Sequence, residues 1–154
     1  MAQLEIIENY ILTCEAPIQT FLVGILRIFL KTFSIITVPQ IAHRLAELCN
    51  LGNFEQAQKE LFAEDAVSIE AEAGGGFDKE TKGLNAIFEK GKQFGSMVEE
   101  VHGCSVSDPI VAGNCFAISL NMDTTMKGKQ RSTLSEICVY KVKDGKIISE
   151  QFFM

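Results

Sequence analysis

The sequence predicts one α+β domain in which three helices pack on a strongly curved, mostly antiparallel sheet. Three observations carry this reading. Apolar residues recur at helical spacing early in the domain, they alternate with polar residues from position 98 onward, and Gly-containing turns separate the alternating runs. The predicted order is α-α-β-α-β-β-β-β over residues 38–154.

Thr37 can cap a first helix that opens at Pro39, where a missing N–H does no harm. Ile41, Ala42, Leu45, Leu48 and Cys49 share one face of it. Asn50-Leu51-Gly52 ends this helix, and Asn53 caps a second, with Phe54, Ala57 and Leu61 turned inward. Residues 66–72 read as a first strand, in which Val67, Ile69 and Ala71 alternate with Ser68, Glu70 and Glu72. Gly74-Gly75-Gly76 forms a loop, and a third helix spans about residues 82–94. Four strands follow, at 98–111, 115–126, 131–143 and 146–153. Gly113-Asn114, Lys127-Gly128-Lys129 and Asp144-Gly145 close the hairpins between them. A sheet this long must twist and curl, so the helices plug its concave side and leave a cone with one open end.

Residues 1–37 form a separate apolar extension. Thr20, Gly24, Arg27, Lys31 and Ser34 line one helical stripe, with Phe and Leu residues filling the rest. Arg27 and Lys31 sit near the middle of the apolar stretch and argue against a membrane span. Three readings stay open: a helix of residues 21–38 lying in a membrane interface, a cover for the core or a partner chain, or a translated upstream stretch outside the native domain.

Bulk properties exclude several classes. Hydrophobic residues make up 47% and charged residues 22%, which fits a packed core and not a disordered chain. The net charge of −6, with basic residues scattered among acids, argues against nucleic acid as a partner. Five cysteines without a Cys-x-x-Cys pair, beside two histidines, assemble no zinc signature. They read as reduced thiols of a cytoplasmic protein. Neither a metal nor a cofactor is expected.

The stretches "IAHRLAELCNLGNFEQAQKELFAEDAVSIE", "TKGLNAIFEKGKQF" and "SEICVYKVKDGKIISEQFF" resemble the nuclear transport factor 2-like superfamily, and within it the SnoaL-like branch. The resemblance covers residues 38–154. It implies a conical α+β barrel that pairs as a homodimer through the outer face of its sheet. It also implies mixed functions: isomerases, polyketide cyclases, dehydratases, epoxide hydrolases and non-catalytic members. Fold alone therefore does not assign the chemistry.

Matched to the ketosteroid isomerases, Glu70 falls where they keep a proton-shuttling carboxylate. A carboxylate beside apolar walls has its pKa raised by desolvation, which suits proton transfer near neutral pH. The isomerases' tyrosine donor corresponds to Leu45 and their protonated acid to Cys138, so this chain lacks both, and steroid isomerisation is not expected. Alternation along the strand then turns Leu134, Glu136, Tyr140 and Val142 inward with Cys138, and Glu150 and Phe152 inward from the last strand.

The candidate catalytic residues are thus Glu70 as base, with Glu136 and Tyr140 orienting or donating. Glu150, His102, Cys138, Phe152 and Leu45 are candidate ligand contacts. Plainer roles compete with each. Glu70 can be a solvated rim residue, Glu136 and Glu150 can pair with Arg131, Lys141 or Lys146, and His102 can be structural. Phe116, Ile118, Leu120 and Met122 read as packing. The glycine triplet lacks nucleotide-motif spacing, and no nucleophile elbow is present.

Two functions follow. One is a pocket for a small hydrophobic, carbonyl-bearing ligand, with isomerase-, cyclase- or dehydratase-like proton transfer. The other is a non-catalytic dimeric module, whose interior would be filled by Phe94, Phe116, Tyr140 and Phe152.

Overall fold

The computed structural model describes residues 36–73 and 76–154. The expectations for the N-terminal helical stripe and for Gly74-Gly75 lie outside them. Helix α1 spans Val38–Asn50 and α2 spans Phe54–Leu61. Gln40 accepts a 2.8 Å hydrogen bond from the Thr37 backbone N–H, so the first turn is held where the sequence places its cap. Gly52 takes φ +73°, and the Asn53 N–H reaches back 2.8 Å to the Leu48 carbonyl. That left-handed residue closes α1 and turns the chain straight into α2.

Strand β1, Phe62–Ile69, begins four residues earlier than the alternation suggests. No turn residue separates Leu61 from Phe62, so the chain passes from helix to strand without a loop. The exposed acids Glu64 and Asp65 sit where the register with the last strand shifts, between Phe62 and Val67. A short strand β2, Glu80–Lys82, pairs antiparallel with β1 and is absent from the expected order. Helix α3, Leu84–Met97, follows Gly83, whose φ is +88°.

The run expected as one strand over 98–111 divides into β3, Val98–Val106, and β4, Ile110–Ala112, around Pro109. Both pair with β5, Cys115–Met126. Strands β6, Arg131–Lys143, and β7, Lys146–Phe153, have the expected bounds. Asp144 and Gly145 have φ of 52° and 76°, which lets a two-residue turn follow the twist of β6 and β7.

The sheet order is β2-β1-β7-β6-β5-β3, with β4 also on β5. All pairings are antiparallel except β1 with β7. The edge strands β2 and β3 do not pair with each other, so the sheet is open and not a closed barrel. Helices α1 and α3 cover one face, α1 over β3 to β5 and α3 over β1 and β2. Ile41, Leu45, Ile87, Phe116 and Ile147 form the centre of the core beneath them. Among the described residues, no helix is long and apolar enough to cross a membrane.

Candidate functional site

The helix-facing side of β1 carries Ala66, Ser68 and Glu70, because side chains alternate and Ala66 and Ser68 are fully buried. Strand β6 buries Cys138, Tyr140 and Val142 on the same side, and Glu136 follows their parity. Tyr140 lies opposite Glu150 of β7, and Cys138 opposite Phe152. Across the parallel pairing, Ser68 lies beside Glu150. These registers bring Glu70, Glu136 and Glu150 to one side of the sheet.

Helix α3 supplies a residue that the sequence reading passes over. The Gly83 N–H bonds the Ala66 carbonyl at 2.8 Å, which starts α3 beside the middle of β1. Seven residues on, about 10 Å along the helix axis, Lys90 is level with the end of that strand. Its Nζ donates to Glu70 Oε1 at 2.7 Å and to the Ser68 hydroxyl, and it lies 5.2 Å from the centre of the Phe152 ring. The side chains of Lys90 and Glu70 are 14% and 25% exposed, so this end of the row is open to solvent. Glu150 at the other end is buried. A signal did exist: Lys90 falls three residues after Ile87 and four before Phe94, on the inward stripe of α3.

Burial dominates the electrostatics. It pushes the Glu150 carboxyl up to about 7, with Glu70 and Glu136 adding to the rise while Ser68 and Lys90 oppose it. Burial likewise raises Glu136. The Cys138 thiol, which donates to Glu136 Oε1 at 3.5 Å, and the Lys90 ammonium pull it down, while Glu70 pushes it up. Tyr140 is held well above its usual range by burial. The arrangement therefore sets the buried Glu150 carboxyl, raised to about 7, in the same row as the Glu70 side chain that is ion-paired to Lys90.

The remaining candidates separate into groups. Tyr140 is packed tight, stacked on Phe116 at 4.8 Å and edge-on to Phe62 at 6.4 Å. Cys138 and Leu45 are buried among core residues. Phe152 and Phe94 are partly buried, so of the four aromatics that would fill the interior only Phe116 and Tyr140 are fully enclosed. His102 stands apart from the glutamates. It occupies an irregularity in the β3–β5 register, with Nε2 2.8 Å from Thr125 Oγ1 and Nδ1 3.6 Å from Glu100. The competing ion pairs for Glu136 and Glu150 are not formed by Arg131, which binds Asp123, or by Lys146, which donates to the Glu60 carbonyl. Among the described residues, no three His, Cys, Asp or Glu side chains are grouped to hold a metal ion. A concavity of about 260 Å³ lies along β3, β5 and β6, lined by Gly103, Cys104, Ser105, Asn121, Asp123 and Thr133, none of which belongs to this row.

An open, mostly antiparallel sheet with three helices packed on it places the domain in the ketosteroid isomerase-like class of α+β folds. A protein of that fold from Catenulispora acidiphila, solved in complex with trimethylamine, superposes with a TM-score of 0.60 at 20% identity, over 77% of this chain and 87% of its own. The SnoaL-like domain family model matches residues 36–154, and the chain belongs to that family. A Mesorhizobium loti protein named as a SnoaL-like polyketide cyclase shares 34% identity over 77% of this chain and 99% of its own, with a TM-score of 0.71. A Jannaschia protein of the same designation gives 0.61 at 14% identity, over 78% and 87%. No curated protein matches the chain.

Proposed function

We propose that this domain is a cytoplasmic small-molecule protein that transfers a proton on a hydrophobic, carbonyl-bearing ligand, with Glu70 as the base. The observation that carries the reading is the Glu70–Lys90 pair at the accessible end of a row that runs inward to Glu150. Lys90 Nζ holds Glu70 Oε1 at 2.7 Å and so fixes the direction in which that carboxylate faces. Glu136, on the same side of the sheet and raised by burial, is the group we assign to hand a proton back. Tyr140 is too enclosed for that part. Phe94, four residues along α3 from Lys90, and Phe152, both partly buried, supply apolar surface for the ligand. The polyketide cyclase designation of the Mesorhizobium relative and the trimethylamine bound by the Catenulispora protein agree with a small-molecule role.

The test is deuterium incorporation next to the carbonyl of linear, monocyclic and bicyclic ketones in D₂O, followed by ¹H NMR. The wild-type chain accelerates exchange for at least one ketone, and Glu70→Gln loses about 10²–10⁴-fold of that rate while its unfolding transition persists. Equal rates in the two proteins, or no acceleration by wild type, would defeat the reading.

One observation supports the dimeric module as well. Ile137 and Phe153 are paired neighbours on the face of the sheet away from α1 and α3, 54% and 47% exposed among the described residues. Large apolar side chains set side by side in water suit a self-complementary interface. A homodimer is therefore expected by light scattering, with Ile137→Asp shifting it to monomer; an unchanged mass for the variant would place the contact elsewhere.

A further inference from the structure

The base at Glu70 addresses only half of a proton abstraction next to a carbonyl. As the C–H bond breaks, its electron pair forms a C=C bond and the carbonyl π pair moves onto oxygen. The negative charge thus leaves the carboxylate and appears on the ligand. A site that speeds this step needs a donor or cation aimed at that oxygen, preorganised in a partly dry environment. The two positions that the resemblance to the isomerases marks for a donor supply none: Leu45 has no donor, and Cys138 is buried with its thiol turned to Glu136.

We propose that Lys90 is a catalytic residue of this site, stabilising the oxyanion of an enolate formed when Glu70 removes a proton from the carbon beside a ligand carbonyl. The inference rests on the reading of Glu70 as base, and three observations of the molecule carry it further. First, Lys90 Nζ is 2.7 Å from Glu70 Oε1, and the proton and the oxygen of an enolisable carbonyl lie on adjacent carbons. A ligand that offers its C–H to Glu70 Oε1 can therefore set its oxygen within reach of Lys90. Second, an ammonium has three donors, and among the described residues Glu70 and Ser68 accept from two of them. Third, the ammonium is fixed on three sides, by Ser68, by Glu70 and by the ring of Phe152, so little reorganisation is required when charge moves.

The charge balance favours this assignment. Before the step, Lys90⁺ faces Glu70⁻. After it, Lys90⁺ faces a neutral Glu70 and an anionic ligand oxygen. The cation keeps a counter-charge throughout, and its hydrogen bond loosens from one partner as it tightens on the other. Lys90 stays protonated, and return of the proton from Glu70 or from Glu136 to carbon completes an isomerisation or exchange without any oxidant or co-reactant. The substrate class is accordingly an enolisable ketone, aldehyde or thioester with an apolar body.

A stable oxyanion can report on Lys90 directly. The probe is 2-naphthol, a planar apolar hydroxyarene whose neutral and ionised forms differ in absorption and fluorescence. Glu70→Gln reproduces the charge state after proton removal, with Lys90 released from its carboxylate. That variant is expected to bind naphthol with an ionised fraction about tenfold above that of the double variant Glu70→Gln/Lys90→Met at the same pH. Glu70→Gln/Lys90→Arg, which keeps a cation, retains most of the effect and so controls for a fold lost with the methionine. An ionised fraction that does not change when Lys90 is removed would overturn the role of Lys90 and leave the pocket reading standing. Failure of every variant to bind naphthol in either form would overturn both.

Discussion

Glu150→Gln is expected to be more stable than the wild-type protein at pH 8, by on the order of 3 kcal/mol, and close to it at pH 4.5. The reason is linkage. The buried Glu150 carboxyl titrates at about 7 in the folded chain against an ordinary 4.5. Between those values the folded state holds a proton that the unfolded state has released, so stability falls as pH rises through the window. The contribution is fully present below 4.5, is lost progressively toward 7, and is flat above it. The separation of the two values sets the magnitude at about 1.4 kcal/mol for each pH unit of the window. Glutamine keeps the size of the side chain and a donor and acceptor for Ser68 but carries no proton to lose.

Other acids do not blur this result. Glu55, Glu60 and Asp123 are held below their usual range by Lys59, Arg44 and Arg131, so they act beneath the window. Glu136 is raised and adds to the wild-type slope, but it is common to both proteins. Urea unfolding from pH 4.5 to 8 measures the difference. Parallel stability curves for the two proteins would show that Glu150 is not a neutral buried acid. For function, the same burial that costs stability at high pH keeps a proton inside the row at neutral pH.

How much of this was legible in the sequence differs by element. Strands β5, β6 and β7 stand out because Gly113, Gly128 and Asp144-Gly145 punctuate long alternating runs, and left-handed turn residues have few other uses. The three-residue strands β2 and β4 carry no period of their own and exist because β1 and β5 offer unpaired edges. The start of β1 was hidden because Leu61-Phe62 passes from helix to strand with no breaker. In the site, parity on β6 carried from Cys138 to Glu136 and Tyr140, so one anchored position ordered the whole strand. Lys90 and Ser68 were missed for a different reason. The stripe of α3 marks the face that Lys90 occupies and the parity of Glu70 marks that of Ser68, but only the placement of α3 along β1 makes the two partners inside the domain. Proximity between elements far apart in sequence has no local signature.

Leu45 shows the opposite case, a position that the resemblance marks as part of a ligand site and that the packing claims for the core. It is 2% exposed on the inner face of α1, in one cluster with Ile41, Leu48, Ile87 and Phe116. Shortening it to alanine removes three carbons from a densely packed region that cannot fully close, so Leu45→Ala should cost about 2–5 kcal/mol. The penalty divides into lost transfer energy, which any buried leucine would show, and a cavity contribution that depends on how far α1 can settle toward β5. The capped first turn of α1 and its tight Gly52 closure leave little freedom to settle, which places the expected cost in the upper half of that range. Thermal and urea unfolding read the loss, and naphthol binding by Glu70→Gln/Leu45→Ala reads the site. A large drop in stability with the probe still bound marks Leu45 as core. A small drop with binding abolished would instead return it to the ligand, and with it the correspondence to the isomerases' donor position.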